Sequence, residues 1–296
     1  MSIDYGYLVQ IACTATLLFV IFSAALSQNP IFINGLLVVV VAGAMIVYIL
    51  TLQIAVTELP VYFFEIVFEP SMNRYCLLSF WIMCVLASIA FGIVISLQGH
   101  SSTVHRKFFH LTVSLIYLSG IFLDPKFTHL CGWLWVCIFV CFEVLRFHSV
   151  PPWGDHLNNF FLVFKDGQDN SVLLTPIFLL IGVFLPLFLS PIEETHQPHL
   201  YHLAGVASVG IGDAFAAVIG YNYGSMKWPG RDKTIEGTIA MAVSVFVTLF
   251  LSRSYCEPPI ASTAWLLISA AILSAIEAFV KNVDNLLLPV VGYFLL

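Results

Sequence analysis

The sequence predicts an all-α polytopic membrane protein, a bundle of roughly 8–10 transmembrane helices. Three observations predict it. The 296-residue chain is 60% hydrophobic and 9% charged, with a mean hydropathy of +0.97, whereas a soluble domain carries about 25% charged residues. Apolar runs long enough to cross a bilayer, about 20 residues as a helix, recur along it. The runs are continuous rather than alternating, which selects helices over a closed barrel.

Taken in order, the spans fall at about 6–26, 31–52, 76–97, 110–123, 128–147, 172–190, 200–222, 237–252, 262–280 and 286–296. Met1-Ser2-Ile3-Asp4-Tyr5 has no positive n-region, so the first run reads as an uncleaved span rather than a signal peptide. Residues 53–73 carry Glu58, Glu65 and Glu69 among aromatics and suit the membrane interface. The 110–123 and 286–296 runs are short, as tilted or incomplete crossings would be. The polar stretch 148–171 holds an apolar middle, Phe160 to Phe164, which places it along the cytosolic surface rather than in a free linker. A single membrane domain, 1–296, is expected, with N-terminal spans in 1–97 and a catalytic, nucleotide-binding part in 98–296.

Basic residues orient the bundle. If Arg106 and Lys107 are cytosolic, counting crossings puts Arg146, Lys165, Lys227, Arg231, Lys233 and Lys281 on the same side. Arg74, Lys126 and Arg253 are left on the other. The asymmetry agrees with the positive-inside rule and supports 110–123 as a crossing. No basic arm or Lys/Arg tract points to nucleic acid. The seven cysteines form no CxxC pair and read as small apolar packing residues. P-loop, HRD/DFG, HExxH and GxSxG patterns are absent.

The most informative stretch is 204–238. Ala204, Ser208, Gly212, Ala216, Gly220 and Gly224 recur every four residues as a ridge that lets another helix approach closely. Asp213 interrupts this apolar helix, and a carboxylate in lipid normally faces a partner, an ion or water. The following loop gathers Lys227, Arg231 and Lys233 around Trp228-Pro229-Gly230. Pro-Gly forces a turn. Cations beside accessible backbone amides at Gly224, Gly230 and Gly237 would make a phosphate-binding surface. Glu236 then opens the next span. A second cluster, His105-Arg106-Lys107-Phe108-Phe109-His110, puts His110 one helical turn from Arg106. A third contains Glu277 and Lys281 as an i,i+4 pair, then Asp284-Asn285, oxygen donors suited to Mg²⁺. All three clusters are expected at one face. Together they supply cations for phosphates, carboxylates for a divalent ion and a proton acceptor, the set that phosphoryl transfer requires. A transporter would instead place its polar groups near the midplane.

The run Gly212-Asp213-Ala214-Phe215-Ala216-Ala217-Val218-Ile219-Gly220, with Gly224, Lys227-Trp228-Pro229-Gly230 and Lys233-Thr234-Ile235-Glu236-Gly237-Thr238, resembles the nucleotide-binding signature of dolichol kinases. Arg106-Lys107-Phe108-Phe109-His110, Glu143-Val144-Leu145-Arg146-Phe147 and Asp284-Asn285-Leu286-Leu287-Leu288-Pro289 resemble that family too. The likeness covers about 100–296, and the chain has about three spans ahead of it, where dolichol kinases usually carry more. It implies a multi-pass enzyme of the endoplasmic reticulum membrane with its active site on the cytosolic side. Such an enzyme transfers the γ-phosphoryl group of CTP, with a divalent cation, to dolichol, giving dolichyl phosphate for protein glycosylation. Phytol kinases, CTP-dependent diacylglycerol kinases and phosphatidate cytidylyltransferases share parts of the pattern. The resemblance carries nucleotide binding to Gly212, Gly224, Lys227, Trp228, Pro229, Gly230, Arg231, Lys233, Thr234, Glu236, Gly237 and Thr238, joined by Arg106 and Lys107. The metal is expected at Asp213, Glu236 and Asp284, and the catalytic base at Asp213 or His110.

Overall fold

A computed structural model describes residues 5–25, 29–69, 71–98, 102–161, 163–165, 171–192, 197–257, 262–280 and 284–296. They form an all-α bundle. The helices are α1 (Tyr5–Ala25), α2 (Pro30–Leu52), α3 (Leu59–Val67), α4 (Met72–Gln98), α5 (Thr103–Leu123) and α6 (Pro125–Phe147). They continue with α7 (Trp153–Phe161), α8 (Thr175–Leu189), α9 (Asp213–Tyr223), α10 (Ile235–Ser252), α11 (Thr263–Phe279) and α12 (Asp284–Leu295). No strand occurs among the described residues, only one antiparallel bridge between Lys227 and Thr234.

Each predicted span is helical. Among the described residues, six helices are long and apolar enough to cross a membrane, one of them the composite Leu200–Tyr223 that ends in α9. Their outward faces confirm the solvent: α2 exposes Ile31, Phe32, Val38, Val39 and Leu50, a face that lipid covers and water would not tolerate. The chain is therefore a multi-pass membrane protein. The 110–123 run belongs to a full-length helix, α5, which begins at Thr103. Its first two turns are polar because they face other polar groups within the bundle, so a hydropathy window starts too late.

Local chemistry sets the helix ends. Ser102 accepts the His105 N–H at 3.2 Å and starts α5. Asp124 accepts the Phe127 N–H at 2.9 Å ahead of Pro125 and starts α6. Thr234 accepts the Gly237 N–H at 3.2 Å and starts α10. These are N-caps, with proline where its missing N–H costs nothing.

The main core joins α5, α8, the composite span, α10, α11 and α12 through Tyr117, Val183, Leu203, Met241 and Leu273. α1 and α2 pack on α6 at one side through Phe19, Ile33 and Leu145. Within the 148–171 stretch, α7 forms and Phe161, Val163 and Phe164 insert into the core, while 162 and 166–170 lie outside the described residues. Glu143 and Arg146 fasten the approach to α8. Arg146 Nε and Nη2 each reach a Glu143 oxygen at 2.7 Å, and Nη2 also donates to Ser171 O at 2.6 Å. Glu143 Oε1 accepts the Leu173 N–H at 2.7 Å, which holds the start of α8 against the end of α6.

The opposite end of the bundle is locked by Arg74. Its guanidinium donates to Asp124 Oδ2 at 2.8 Å, Ile66 O at 2.8 Å and Glu69 Oε2 at 2.9 Å, and lies 3.9 Å over the Phe127 ring. Removing one partner of a fully buried pair costs about 3–5 kcal/mol. Because Glu69 is 59% exposed, Arg74→Ala should cost about 2 kcal/mol. Denaturant unfolding in detergent measures it, and an unchanged midpoint would discard this cluster as a lock.

Candidate active site

The site starts from an irregularity in the helix that carries Asp213. Val206–Gly212 is π-helical, and the Asp213 N–H bonds to Ser208 O, five residues back. Such a turn re-phases the side chains beyond it and is common at functional positions. The small-residue ridge is split by it. Ala204 lies against Gly292 of α12, whereas Gly212 lies against Met241 and Val245 of α10. Past the π turn, α9 and α10 meet almost backbone to backbone. A Cβ on Gly237 would stand 2.8 Å from Ala216 O, and one on Gly220 would stand 2.9 Å from Thr234 Oγ1. That approach brings the loop after α9 back onto the bundle.

Asp213 is buried and accepts an ion-paired hydrogen bond from Lys107 of α5. His110 sits one turn further along α5, with Nδ1 3.0 Å from Val209 O and 3.5 Å from Asp213 Oδ2. Both neighbours can only accept, so Nδ1 carries the hydrogen, and in the neutral ring Nε2 keeps its lone pair. A second set lies across from it. Lys233 Nζ donates to Glu277 Oε1 at 2.5 Å and Glu277 O at 2.7 Å, and lies 3.4 Å from Asp284 Oδ2. Burial alone would lower the Lys233 pKa, but the adjacent Glu277 and Asp284 carboxylates outweigh it and hold it above the ordinary lysine value.

Both sets line one cavity of about 540 Å³, within the range of small-molecule sites. Arg106, Lys107, His110, Asp213, Gly224, Lys227, Lys233, Thr234, Gly237, Thr238 and Asp284 all reach it. Gly212, Trp228, Pro229, Gly230, Arg231 and Glu236 do not line it. Pro229-Gly230 makes the expected turn, with Gly230 at φ +69° and the Arg231 N–H bonded to Trp228 O at 3.0 Å. Trp228 packs its ring on Phe279 at 5.2 Å and donates to Thr238 Oγ1 at 2.9 Å. Glu236 turns toward the loop backbone, accepting from Ser225 N at 2.9 Å, Ser225 Oγ at 2.5 Å and Met226 N at 3.1 Å. Of the three backbone amides expected to meet phosphate, Gly224 N–H is committed to Gly220 O and Gly237 N–H to Thr234 Oγ1, and Gly230 does not line the cavity. Anion binding here falls to lysine and arginine side chains.

Glu277 is the residue whose role the sequence obscured. Its i,i+4 partner Lys281 lies outside the described residues; Glu277 grips Lys233 of the loop ahead of α10. Thr103, Thr175, Tyr221 and Asn285 also line the cavity. No group of three or more His, Cys, Asp or Glu side chains preformed for a metal occurs among the described residues. Asp213, Glu277 and Asp284 nonetheless present carboxylates to one cavity. Mg²⁺ is commonly held by one or two carboxylates together with substrate phosphates and waters, and this donor set fits that mode.

The geometry makes Glu236 a brace for the 224–234 loop. Glu236→Ala should speed tryptic cleavage at Lys227, Arg231 or Lys233, read by mass spectrometry of the detergent-solubilised protein. Cleavage at the wild-type rate would refute the brace.

Comparison with known proteins finds similarity to dolichol kinases from several kingdoms. The chain is 33% identical to the dolichol kinase of Bos taurus over 245 residues, 76% of this chain and 45% of that one. It is 33% identical to dolichol kinase EVAN of Arabidopsis thaliana over 241 residues, 78% of this chain and 41% of that one. Against the dolichol kinase of Saccharomyces cerevisiae it is 27% identical over 224 residues, 74% and 41% of the two chains. The chain thus spans less than half the length of the curated relatives it matches. No family model and no solved structure matches it. Along three quarters of its length, then, the chain is a sequence relative of the dolichol kinases.

Proposed function

We propose that the chain is a CTP-dependent dolichol kinase. It transfers the γ-phosphoryl group of CTP to dolichol, giving dolichyl phosphate for protein glycosylation, in the endoplasmic reticulum membrane with the cavity open to the cytosol. One observation carries the reading. The first turns of α5, the start of α9, the 224–234 loop, the end of α11 and the start of α12 deliver three lysines, four carboxylates and a histidine to a single cavity. Phosphoryl transfer is catalysed mainly by positioning and by charge around the transferred group, and this lining supplies both. The names of the relatives supply the acceptor, and the eight basic residues assigned to one side favour the cytosol. Residues 98–296 are the catalytic part on this reading.

Roles follow from the contacts. Lys107, Lys227 and Lys233, with Arg106, neutralise the phosphates. Asp213 and Asp284, supported by Glu277, would hold Mg²⁺, which supplies further neutralisation of the phosphate oxygens. The dolichol oxygen attacks the γ-phosphorus, the bond to the β–γ bridging oxygen breaks, and CDP leaves. His110 takes the hydroxyl proton on Nε2, the lone pair left by its Nδ1 hydrogen bond to Val209. Asp213 steadies that ring from 3.5 Å. Glu236 and Trp228 act on the nucleotide through the loop they hold. Phytol, diacylglycerol and a cytidylyl-transfer reaction are the competing outcomes within the same chemistry.

The reaction is tested with γ-labelled CTP or ATP and with dolichol, phytol and diacylglycerol offered in parallel to the purified protein. Label passing from CTP to dolichol is expected, and no label on any lipid from folded protein would remove the kinase reading. Asp213→Asn should stay folded and lose at least about 100-fold in rate, and His110→Ala a similar amount, the scale of a lost acid–base group. Lys233→Ala should raise the nucleotide KM by about tenfold, as a lost charged hydrogen bond does. An active Asp213→Asn enzyme would overturn that assignment.

A further inference from the structure

Resting on the nucleotide-kinase reading above, we propose that Tyr221 is the platform on which the nucleobase stacks. The cavity has a direction. At its closed end His110, Glu277, Lys107 and Asp213 are buried, with side-chain exposures of 5%, 6%, 12% and 12%. Lys233 and Asp284 follow at 34% and 30%. At the mouth, Tyr221 is 70% exposed, and Lys227 of the following loop is 65% exposed. Charge paired away from solvent marks the end where phosphoryl transfer proceeds, because electrostatic stabilisation is strongest where water is excluded. A nucleoside triphosphate bound with its γ-phosphate there directs its base outward.

Asp213, Ala217 and Tyr221 are spaced four residues apart on α9 and all line the cavity. They form one stripe of the helix, running about 12 Å from the carboxylate to the ring. A triphosphate and a ribose bridge such a span. Between the two ends the wall is Ala216, Ala217 and Gly220, which leaves clearance for the sugar. Among the described residues, Tyr221 is the only Phe, Tyr or Trp that lines the cavity. Of the nearby aromatic side chains, Tyr223 does not line the cavity, and Trp228 is engaged with Phe279 and Thr238. Stacking is tolerant of base identity because every base offers a π face, so Tyr221 contributes affinity for the nucleoside without choosing CTP over ATP.

The test is equilibrium binding to the full chain in detergent, with CTP and inorganic tripolyphosphate as separate probes. Tyr221→Ala should weaken CTP binding about tenfold, which corresponds to about 1.4 kcal/mol, and leave tripolyphosphate binding at the wild-type level. Tyr221→Phe keeps the ring and should bind CTP as the wild type does. Lys233→Ala should weaken both probes. If Tyr221→Ala binds CTP normally, the ring is an interfacial anchor of the kind found at membrane edges and the proposal is overturned. Equal loss of both probes in Tyr221→Ala also overturns it, since the ring would then support the phosphate end. Wild-type protein that does not bind CTP, with or without tripolyphosphate binding, defeats the CTP-dependent kinase reading itself, whereas wild-type CTP binding that Tyr221→Ala leaves unchanged defeats only the stacking platform.

Discussion

Charge inside an apolar bundle persists only when it is paired, and the arrangement of the site depends on that constraint. A lone carboxylate or ammonium away from water carries a desolvation cost of several kcal/mol. Asp213 meets this through Lys107, and Glu277 through Lys233. The first pair joins α5 to α9 and the second joins the loop ahead of α10 to α11, so the pairs fix which segments stand together. Arg74 does the same at the other end with Glu69 and Asp124. The apolar surfaces between are interchangeable in lipid, which offers no hydrophobic drive between helices. Polar contacts and close backbone packing therefore carry the specificity of the fold.

Close packing does its part where glycine and alanine permit it. Gly182 lets the Asn285 carbonyl approach so near that a Cβ would stand 2.1 Å from it. Asp284 and Asn285, which line the cavity, are seated by this contact. Gly237 and Gly220 perform the corresponding service for α10 on α9. A side chain at any of these positions would push a helix end outward and carry its charged residues away from the cavity.

The fold was legible in the sequence because lipid imposes a length and a composition on every span. The boundaries failed where a helix faces a polar cavity instead of lipid, as α5 does from Thr103 to Lys107. Within the site, Asp213, Lys107, His110, Lys233 and Asp284 could be picked out because each is an ionisable group in or beside an apolar run. Their pairing could not. Lys281 was the nearer partner for Glu277 along the helix, and the contact with Lys233 depends on how α11 packs. Glu236 shows a different limit: its position at the start of a helix is equally suited to a metal, a phosphate loop or a backbone brace, and its contacts with Ser225 and Met226, which support the third, depend on how the loop folds back. Periodicity also assumed 3.6 residues per turn through 204–224, and the π turn at Val206–Gly212 breaks it.

The same pairing constraint bears on how the site would accept its substrates. The carboxylates occupy the lysines, and the buried end is close to electrically balanced. Phosphates binding alone would draw Lys107 and Lys233 toward themselves and leave Asp213 and Glu277 unpaired, at the cost of an uncompensated buried charge. A divalent cation binding alone would satisfy the carboxylates and strand the lysines. If the two arrived together, every charge would keep a partner: the lysines would exchange carboxylate for phosphate, and the carboxylates would exchange ammonium for metal. On the proposed reaction, Asp213 and Lys233 would therefore couple cation and nucleotide binding through the ion pairs they give up.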